Sequence, residues 1–288
     1  MKRALFIVAL GLLGVFALIG IVFTFTFIGM RFDLFNVQGD NTSRNAFFLS
    51  AVAPSVAKRV ESRTAPCDDA LETVCAWSQT PQWEVVREGL RKDQAVIARV
   101  AGETGVSARL IASVVIPEQI RFFTSEREVF KRYFEPLKIL GSLSQFSLGV
   151  SGIKQETATQ IERYAADPTS PFYPGDGIAD FMKYTEVGDR SSLLYKRLTN
   201  EKDHYYSYLY TAIFIREIQS QWRRAGFDIS SNSGAIVTLF NIGFEKSNPN
   251  PSPQTAGAPI AVGGSVYTFG ELGENFYLSE ELLTEFPR

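Results

Sequence analysis

The sequence has few of the residues that build metal and thiol sites, with two cysteines and one histidine in 288 residues. These numbers exclude most sites in which cysteine and histidine together bind a metal ion. Charge of one sign is not in excess either, since 29 basic and 31 acidic side chains leave a net charge of −2. A basic footprint for nucleic acid is therefore missing. We expect no metal, no cofactor and no nucleic-acid partner.

Charge is absent from residues 4–30, an apolar run between Arg3 and Arg31. The run is long enough to cross a bilayer as a helix. It is also longer than the apolar core of a cleavable signal peptide, which is the alternative interpretation. We predict that residues 1–30 form a cytoplasmic stub and a retained signal anchor, because Lys2 and Arg3 favour a cytoplasmic N-terminus. The chain would then cross the inner membrane once, with its bulk on the periplasmic or extracellular side.

Residues 31–80 are predicted to be a membrane-proximal segment, polar and turn-rich in part, that contains both cysteines. Cys67 and Cys75 are separated by seven residues in "CDDALETVC". In an exported segment this spacing favours a short-loop disulfide. The alternative is a pair of free buried thiols in a cytosolic protein.

Residues 81–288 show helical periodicity and no internal repeat, which predicts one mainly α domain. Thr80 can cap a helix that has Pro81 at its first position. An apolar stripe follows, and Gly105 ends it. An irregular loop is predicted over 246–265, which is rich in Pro, Asn and Gly, and then a tail with a short strand or turn and a terminal helix. Further helices are predicted after Ser107, within 126–140, over 154–165 and 203–225, and near 233–240.

Three short stretches could carry chemistry. The first, "GVSARLIASVVIPE" at 105–118, is an apolar helix that ends in Glu118. The second is "GVSGIKQETA" at 149–158, and the third is "LFNIG" at 239–243. Taken singly, they indicate a solvated helix terminus, a loop that enters a helix and a helix that stops at a glycine.

Taken together and in this order, the stretches resemble the lytic transglycosylase family, which has a goose-type-lysozyme-like fold. Its members read as a "GV-x-x-x-L-L" helix ending in the catalytic glutamate, then "G-L-M-Q-I-K-P-x-T-A", then "A-Y-N-A-G". The resemblance covers roughly residues 81–245 of this sequence. Four positions depart from it: Gln119 stands for Ser, Gly152 for Gln, Gln155 for Pro and Phe240 for Tyr.

The resemblance implies a lysozyme-like helical domain and a membrane-anchored enzyme that cleaves peptidoglycan glycan strands. Glu118 would be the single acid/base for the MurNAc–GlcNAc β-1,4 bond and would leave a 1,6-anhydro product. The apolar run before Glu118, with Phe122 and Phe123 after it, would raise the pKa of this acid. Pro117 is expected to kink or end the helix beside it. The residues implied in substrate contact are Gln119, Gly149, Val150, Ser151, Phe240 and Asn241.

Two alternatives remain open at this point. The altered residues Gln119, Gly152 and Phe240 favour a weakened or inactive lysozyme-like protein that binds peptidoglycan or acts as a scaffold of the cell envelope. A helical adaptor of an envelope machine is the third interpretation. His204 is expected to be structural, because no G-x-S-x-G nucleophile elbow accompanies it.

Overall fold

The computed structural model describes residues 75–124, 147–148, 150–200, 202–245 and 247–288, with the backbone alone at 122–124 and 147–148. These residues belong to one compact unit, Ala51–Arg288. Within them lie eight α-helices, so the prediction of a mainly helical body is confirmed. The helices are α1 (Pro81–Lys92), α2 (Gln94–Thr104), α3 (Ala108–Thr124), α4 (Gln155–Ala165), α5 (Arg190–Leu198), α6 (Tyr205–Arg224), α7 (Ser233–Ile242) and α8 (Phe269–Leu278).

Two antiparallel hairpins complete the described elements. Strands β1 (Ser147–Leu148) and β2 (Ile153–Lys154) flank the second of the three stretches. Strands β3 (Pro259–Val262) and β4 (Ser265–Thr268) are joined by a two-glycine turn. Both turn glycines have positive φ, which a tight hairpin turn of this kind requires. The irregular loop predicted over 246–265 was therefore wrong at its end, where β3 begins.

The first helix begins where the sequence places it, since the Thr80 hydroxyl accepts the Trp83 N–H at 3.2 Å. The predicted stripe is divided between α1 and α2, with a break at Asp93. Gly105 ends α2 in the left-handed region, at φ 70°. The 3-10 turn Ala76–Gln79 precedes α1 and packs with this body, because Trp77 is fully buried edge-on against Trp83.

Helix α3 does not end at Pro117, as one form of the prediction had it, but continues to Thr124. Pro117 has no N–H, so the carbonyl of Ser113 lacks its usual helical donor. A Cβ on Gly273 of α8 would lie 2.5 Å from that carbonyl oxygen, so a side chain there would collide with it. The glycine lets α8 pack directly over the freed carbonyl, and the helix passes through its proline.

The longest helix, α6, lies at the centre of the body and buries residues on most of its surface. Helices α3, α7 and α8 form a second packed group around Gly270 and Gly273. A Cβ on Gly270 would meet the Thr238 hydroxyl at 2.1 Å, and one on Gly273 would meet Val237 at 2.7 Å. The two glycines therefore set the close approach of α8 to α7.

The C-terminal segment is fixed to α3 by Arg109, whose side chain is completely buried. Its guanidinium donates to five backbone carbonyls, at 2.6–3.0 Å. Burial lowers the pKa of Arg109 to about 10. Charge-assisted hydrogen bonds compensate for this desolvation. The five carbonyls belong to Phe276, Tyr277, Ser279, Glu281 and Phe286.

Several predictions fall outside the described residues: the membrane anchor within 1–30, most of the segment 31–80 and the helix within 126–140. Among the helices that the structure does describe, none is both long and apolar enough to span a bilayer. Cys75 is disulfide-bonded. Its expected partner, Cys67, lies outside the described residues, so the pairing of the two stays a prediction.

Candidate functional site

Glu118 lies in the last two turns of α3, between residues that are almost wholly buried. The three residues Val114, Val115 and Ile116 are at most 1% exposed, and they form part of the core. The Glu118 side chain is 13% exposed. The apolar run before the glutamate is therefore buried, whereas the side chains of Phe122 and Phe123 lie outside those described.

The Glu118 carboxyl group lies directly against Gly152 in the β1–β2 turn. A Cβ built on Gly152 would be 2.2 Å from Glu118 Oε1 and 2.6 Å from Cδ, far inside van der Waals contact. Gly152 also has φ +64°, a conformation that residues with a side chain rarely adopt. The absence of a side chain at Gly152 is thus what leaves room for the glutamate.

Hydrogen bonds hold this turn in place from two helices. The Gln119 side chain on α3 donates from Nε2 to the carbonyl of Val150. The Val150 N–H donates to the Ser207 hydroxyl on α6 at 3.1 Å. The hydroxyl of Ser151 also lies 3.4 Å from that of Ser207. The first and second stretches therefore meet at Glu118, while Gly149 lies outside the described residues.

Arg121, one turn after Glu118 on the same helix, forms an ion pair with its carboxylate. Nη2 of Arg121 donates to Oε1 at 2.6 Å and to Oε2 at 2.7 Å. The guanidinium carbon also lies 5.9 Å from the centre of the Phe269 ring on α8. Arg121 is 26% exposed, so the pair is reached from solvent on one side. A neighbouring cation stabilises the ionised form of a carboxyl group.

The third stretch is connected to this site through the loop before β3. The Oδ1 atom of Asn241 accepts the Ala258 N–H at 2.9 Å. A Cβ on Gly257 would lie 3.0 Å from both Asn241 Oδ1 and the Phe269 Cβ. Asn241 therefore supports the loop that packs against Phe269, under Arg121. Its predicted contact with substrate stays a prediction.

Phe240, the other residue implied in the third stretch, is half-buried and turned toward the core. Its ring packs edge-on against Phe214 of α6, with centroids 4.9 Å apart. Phe214 packs in turn edge-on against Phe244, so Phe240 joins an aromatic cluster.

Two polar clusters lie apart from Glu118. His204 Nδ1 and Asp93 Oδ2 are 2.6 Å apart, and the Tyr208 hydroxyl donates to the same oxygen at 2.8 Å. Glu162 accepts hydrogen bonds from the hydroxyls of Tyr184 and Tyr210 and pairs with Arg190. Both clusters join helices through satisfied hydrogen bonds, which is the structural role expected for His204.

Glu217, in the middle of α6, is the most unusual acid of the described body. It is 0% exposed, and neither carboxyl oxygen has a hydrogen-bond partner among the described residues. Burial, with a smaller contribution from the charge of Glu245, raises the pKa of Glu217 well above 4.5. Glu217 is therefore a proton-holding group in the core.

Sequence reasoning missed Arg121, Ser207 and Glu217. The i,i+3 spacing of Glu118 and Arg121 is a local signal that could have identified the pair. Glu217 lies four residues after Ile213, within the apolar stripe of α6, so its burial could also have been predicted from the sequence. Ser207 carries no local signal, because its contact with Val150 depends on tertiary packing.

Comparisons with family models, with curated proteins and with solved structures find no match for this chain. Within the ranges that the structure describes, no group of three or more acidic, histidine or cysteine side chains could hold a metal ion. At Glu118 the described residues place a carboxyl group beside an arginine and a glycine turn.

Proposed function

We propose that this protein is a membrane-anchored, lysozyme-like lytic transglycosylase that cleaves peptidoglycan glycan strands with Glu118 as its single acid/base. The observation that carries the proposal is the contact of the Glu118 carboxyl group with Gly152. It brings together two stretches that are far apart in the sequence and that resemble one family in their order. The Glu118 side chain keeps 13% of its surface exposed, which leaves a face for substrate.

In the proposed reaction, protonated Glu118 donates its proton to the glycosidic oxygen as the bond to the MurNAc anomeric carbon breaks. The resulting carboxylate then accepts the proton of the 6-hydroxyl group of the same sugar. That oxygen bonds to the anomeric carbon and closes a 1,6-anhydro ring. One proton is given and one is recovered, so a single carboxyl group suffices. The N-acetyl group of the substrate assists, as in other substrate-assisted glycosidases.

The experiment uses the full chain, purified in detergent and incubated with peptidoglycan sacculi. Released fragments are identified by mass spectrometry, which distinguishes anhydro ends from reducing ends by the mass of one water. We expect 1,6-anhydromuropeptides. Reducing ends would indicate a hydrolase of the lysozyme type, and bound but uncut glycan would indicate a binding protein.

The second candidate is a peptidoglycan-binding or scaffold protein without cleavage. Arg121 favours this candidate, since an ion pair keeps a carboxyl group ionised and so unable to donate a proton. In such a protein the Glu118–Arg121 pair would be structural. Sedimentation with sacculi, without release of soluble fragments, is the result that this candidate predicts.

A further inference from the structure

We propose that Arg121 is a positioning residue for glycan cleavage, which holds the Glu118 carboxylate ionised against the Gly152 turn and so restricts cleavage to acidic pH. The inference rests on the proposed function, and it assigns to Arg121 a role that the motifs do not contain. Three features of the structure support it: the geometry of the pair, the support beneath Arg121 and the charges nearby.

The geometry favours a tight ion pair. A single nitrogen, Nη2 of Arg121, reaches both oxygens of Glu118, at 2.6 and 2.7 Å. Charge-assisted contacts of this length are the strong ones. The Glu118 side chain is also 87% removed from solvent, so water screens the pair less than it screens a surface pair.

The Arg121 guanidinium also lies over an aromatic ring. The ring of Phe269 is fully buried and lies 5.9 Å from the guanidinium carbon, within the range of a cation–π contact. Phe269 is fixed in turn, because its N–H donates to the Ala258 carbonyl at 2.9 Å. Arg121 is thus held by its aromatic support as well as by the charge of Glu118.

Two other charged residues on the described elements next to Glu118 are exposed to solvent or hydrogen-bonded elsewhere. Lys154 stands at the end of the β1–β2 turn and is exposed, so solvent screens it. Glu271, on the helix that carries Phe269, accepts the N–H of Thr268 and caps its own helix. The Gly152 turn and the Gln119 amide are neutral. Among the described residues, Arg121 forms the ion pair that contacts both oxygens of the carboxyl group.

The ion pair affects the first step of the proposed reaction, in which Glu118 donates its proton. The acid must be protonated in the free enzyme, and the alkaline limb of the pH–rate profile reports its pKa. An opposite charge at this distance lowers the pKa of a carboxyl group by roughly 1–3 units. Removal of Arg121 therefore extends activity toward higher pH, whereas removal of an arginine that does not act on the acid would leave the alkaline limb in place.

The test measures the pH profile of glycan release by the full chain, as wild type and as Arg121→Gln. We expect the alkaline limb of the variant to move up by at least about one pH unit. Arg121→Lys should keep the wild-type limb, because one nitrogen makes both contacts. If Arg121→Gln does not fold, Arg121→Met takes its place. Methionine also removes the charge and keeps an aliphatic stem over Phe269, so the same shift of the alkaline limb is expected.

The matched control is the Glu84–Arg87 pair on α1, which has the same i,i+3 spacing and a Glu84 side chain that is 54% exposed. Arg87→Gln removes the same charge and should leave the limb unmoved. An unmoved limb in Arg121→Gln and Arg121→Met would overturn the inference. If the wild type releases no glycan, the proposed function fails. The part of the inference that then remains, that Arg121 holds the Glu118 carboxylate ionised, is judged by NMR titration of ¹³C-labelled Glu118: a pKa raised by Arg121→Gln supports it, and an unchanged pKa overturns it.

Discussion

Glu118 and Glu217 are two glutamates on neighbouring buried helices with opposite surroundings. Glu118 keeps 13% of its side chain exposed, lies against a glycine turn and pairs with Arg121. Glu217 is 0% exposed, and its carboxyl oxygens have no hydrogen-bond partner in the described part of the chain. Its pKa is raised by burial, then by Glu245.

The difference shows that full and partial burial leave a glutamate with different access to solvent and different neighbours. Full burial keeps a proton on Glu217 but removes it from any substrate. Partial burial leaves Glu118 accessible, and a neighbouring charge then decides how readily it holds a proton. Variants at Glu118 should therefore affect the proposed activity and spare stability. Variants at Glu217 should affect stability and spare the proposed activity.

The largest effect is expected from Gly152→Ala, because a Cβ at this position would collide with Glu118 Cγ, Cδ and Oε1. The carboxyl group must move away from the turn, and a misplacement of about 1 Å can cost on the order of 100-fold in rate. We expect glycan release to fall by that factor or more. The strain of alanine at positive φ should also cost about 1–2 kcal/mol of stability, measured by urea unfolding.

Gly264→Ala is the control for this prediction. Gly264 also lies in a hairpin turn, at φ +75°, but a Cβ there would meet nothing within 4 Å. It should lose similar stability and keep its activity. Equal activity in the two variants would show that the contact between Gly152 and Glu118 has no role in cleavage.

A second, smaller effect is expected from Glu217→Gln and concerns stability as a function of pH. The folded protein holds a proton on Glu217 above pH 4.5, where the unfolded chain releases it. Wild-type stability should therefore fall as pH rises above 4.5, by at most about 1.4 kcal/mol per pH unit, until the raised folded pKa is passed. Glutamine does not titrate, so the variant should lack this decline.

Urea unfolding of both proteins across pH 4–9 measures the Glu217 contribution as the difference between the two curves. Glu245→Gln should weaken the decline without removing it, because Glu245 is the smaller cause of the shift. Parallel curves for wild type and Glu217→Gln would mean that Glu217 is not the proton-holding group.

The smallest effect is expected from Asn241→Ala, which leaves the Ala258 N–H without its acceptor. The loss of one such hydrogen bond costs about 1–2 kcal/mol. If Asn241 serves mainly to hold the loop, unfolding should shift while glycan release changes less than about tenfold. Asn250→Ala, in the exposed part of the same loop, is the control and should change stability by less than about 0.5 kcal/mol. A larger loss of release with unchanged stability would instead favour substrate contact.

Much of the fold is predictable from local signals. Thr80, Gly105 and Ser107 mark helix ends, and the apolar stripes locate the helices between them. At Pro117 the sequence predicts a kink or an end of the helix and does not decide between the two. The packing of α8 over the freed Ser113 carbonyl depends on Gly273, a residue distant in sequence whose missing side chain makes room for that carbonyl. The five carbonyls around Arg109 are likewise brought together only by the complete fold.

For the candidate site, the order of the three stretches predicted one constellation, and the structure brings the first two into contact. In the sequence, Gly152 indicates only the loss of a polar side chain, and its contact with Glu118 is not visible there. Its φ and its distance from Glu118 show that a larger residue could not stand there with the glutamate in place. Such a constraint exists only between two segments, so neither segment reveals it.

The most direct measurement of the central claim compares Glu118→Gln with Glu217→Gln for release of anhydromuropeptides from sacculi by the full chain. We expect Glu118→Gln to lower release by about 100-fold or more, because a general acid contributes roughly 10²–10⁴ in rate. Its urea unfolding should remain cooperative, and Glu217→Gln should release fragments at the wild-type rate. Release by Glu118→Gln at the wild-type rate would contradict the account.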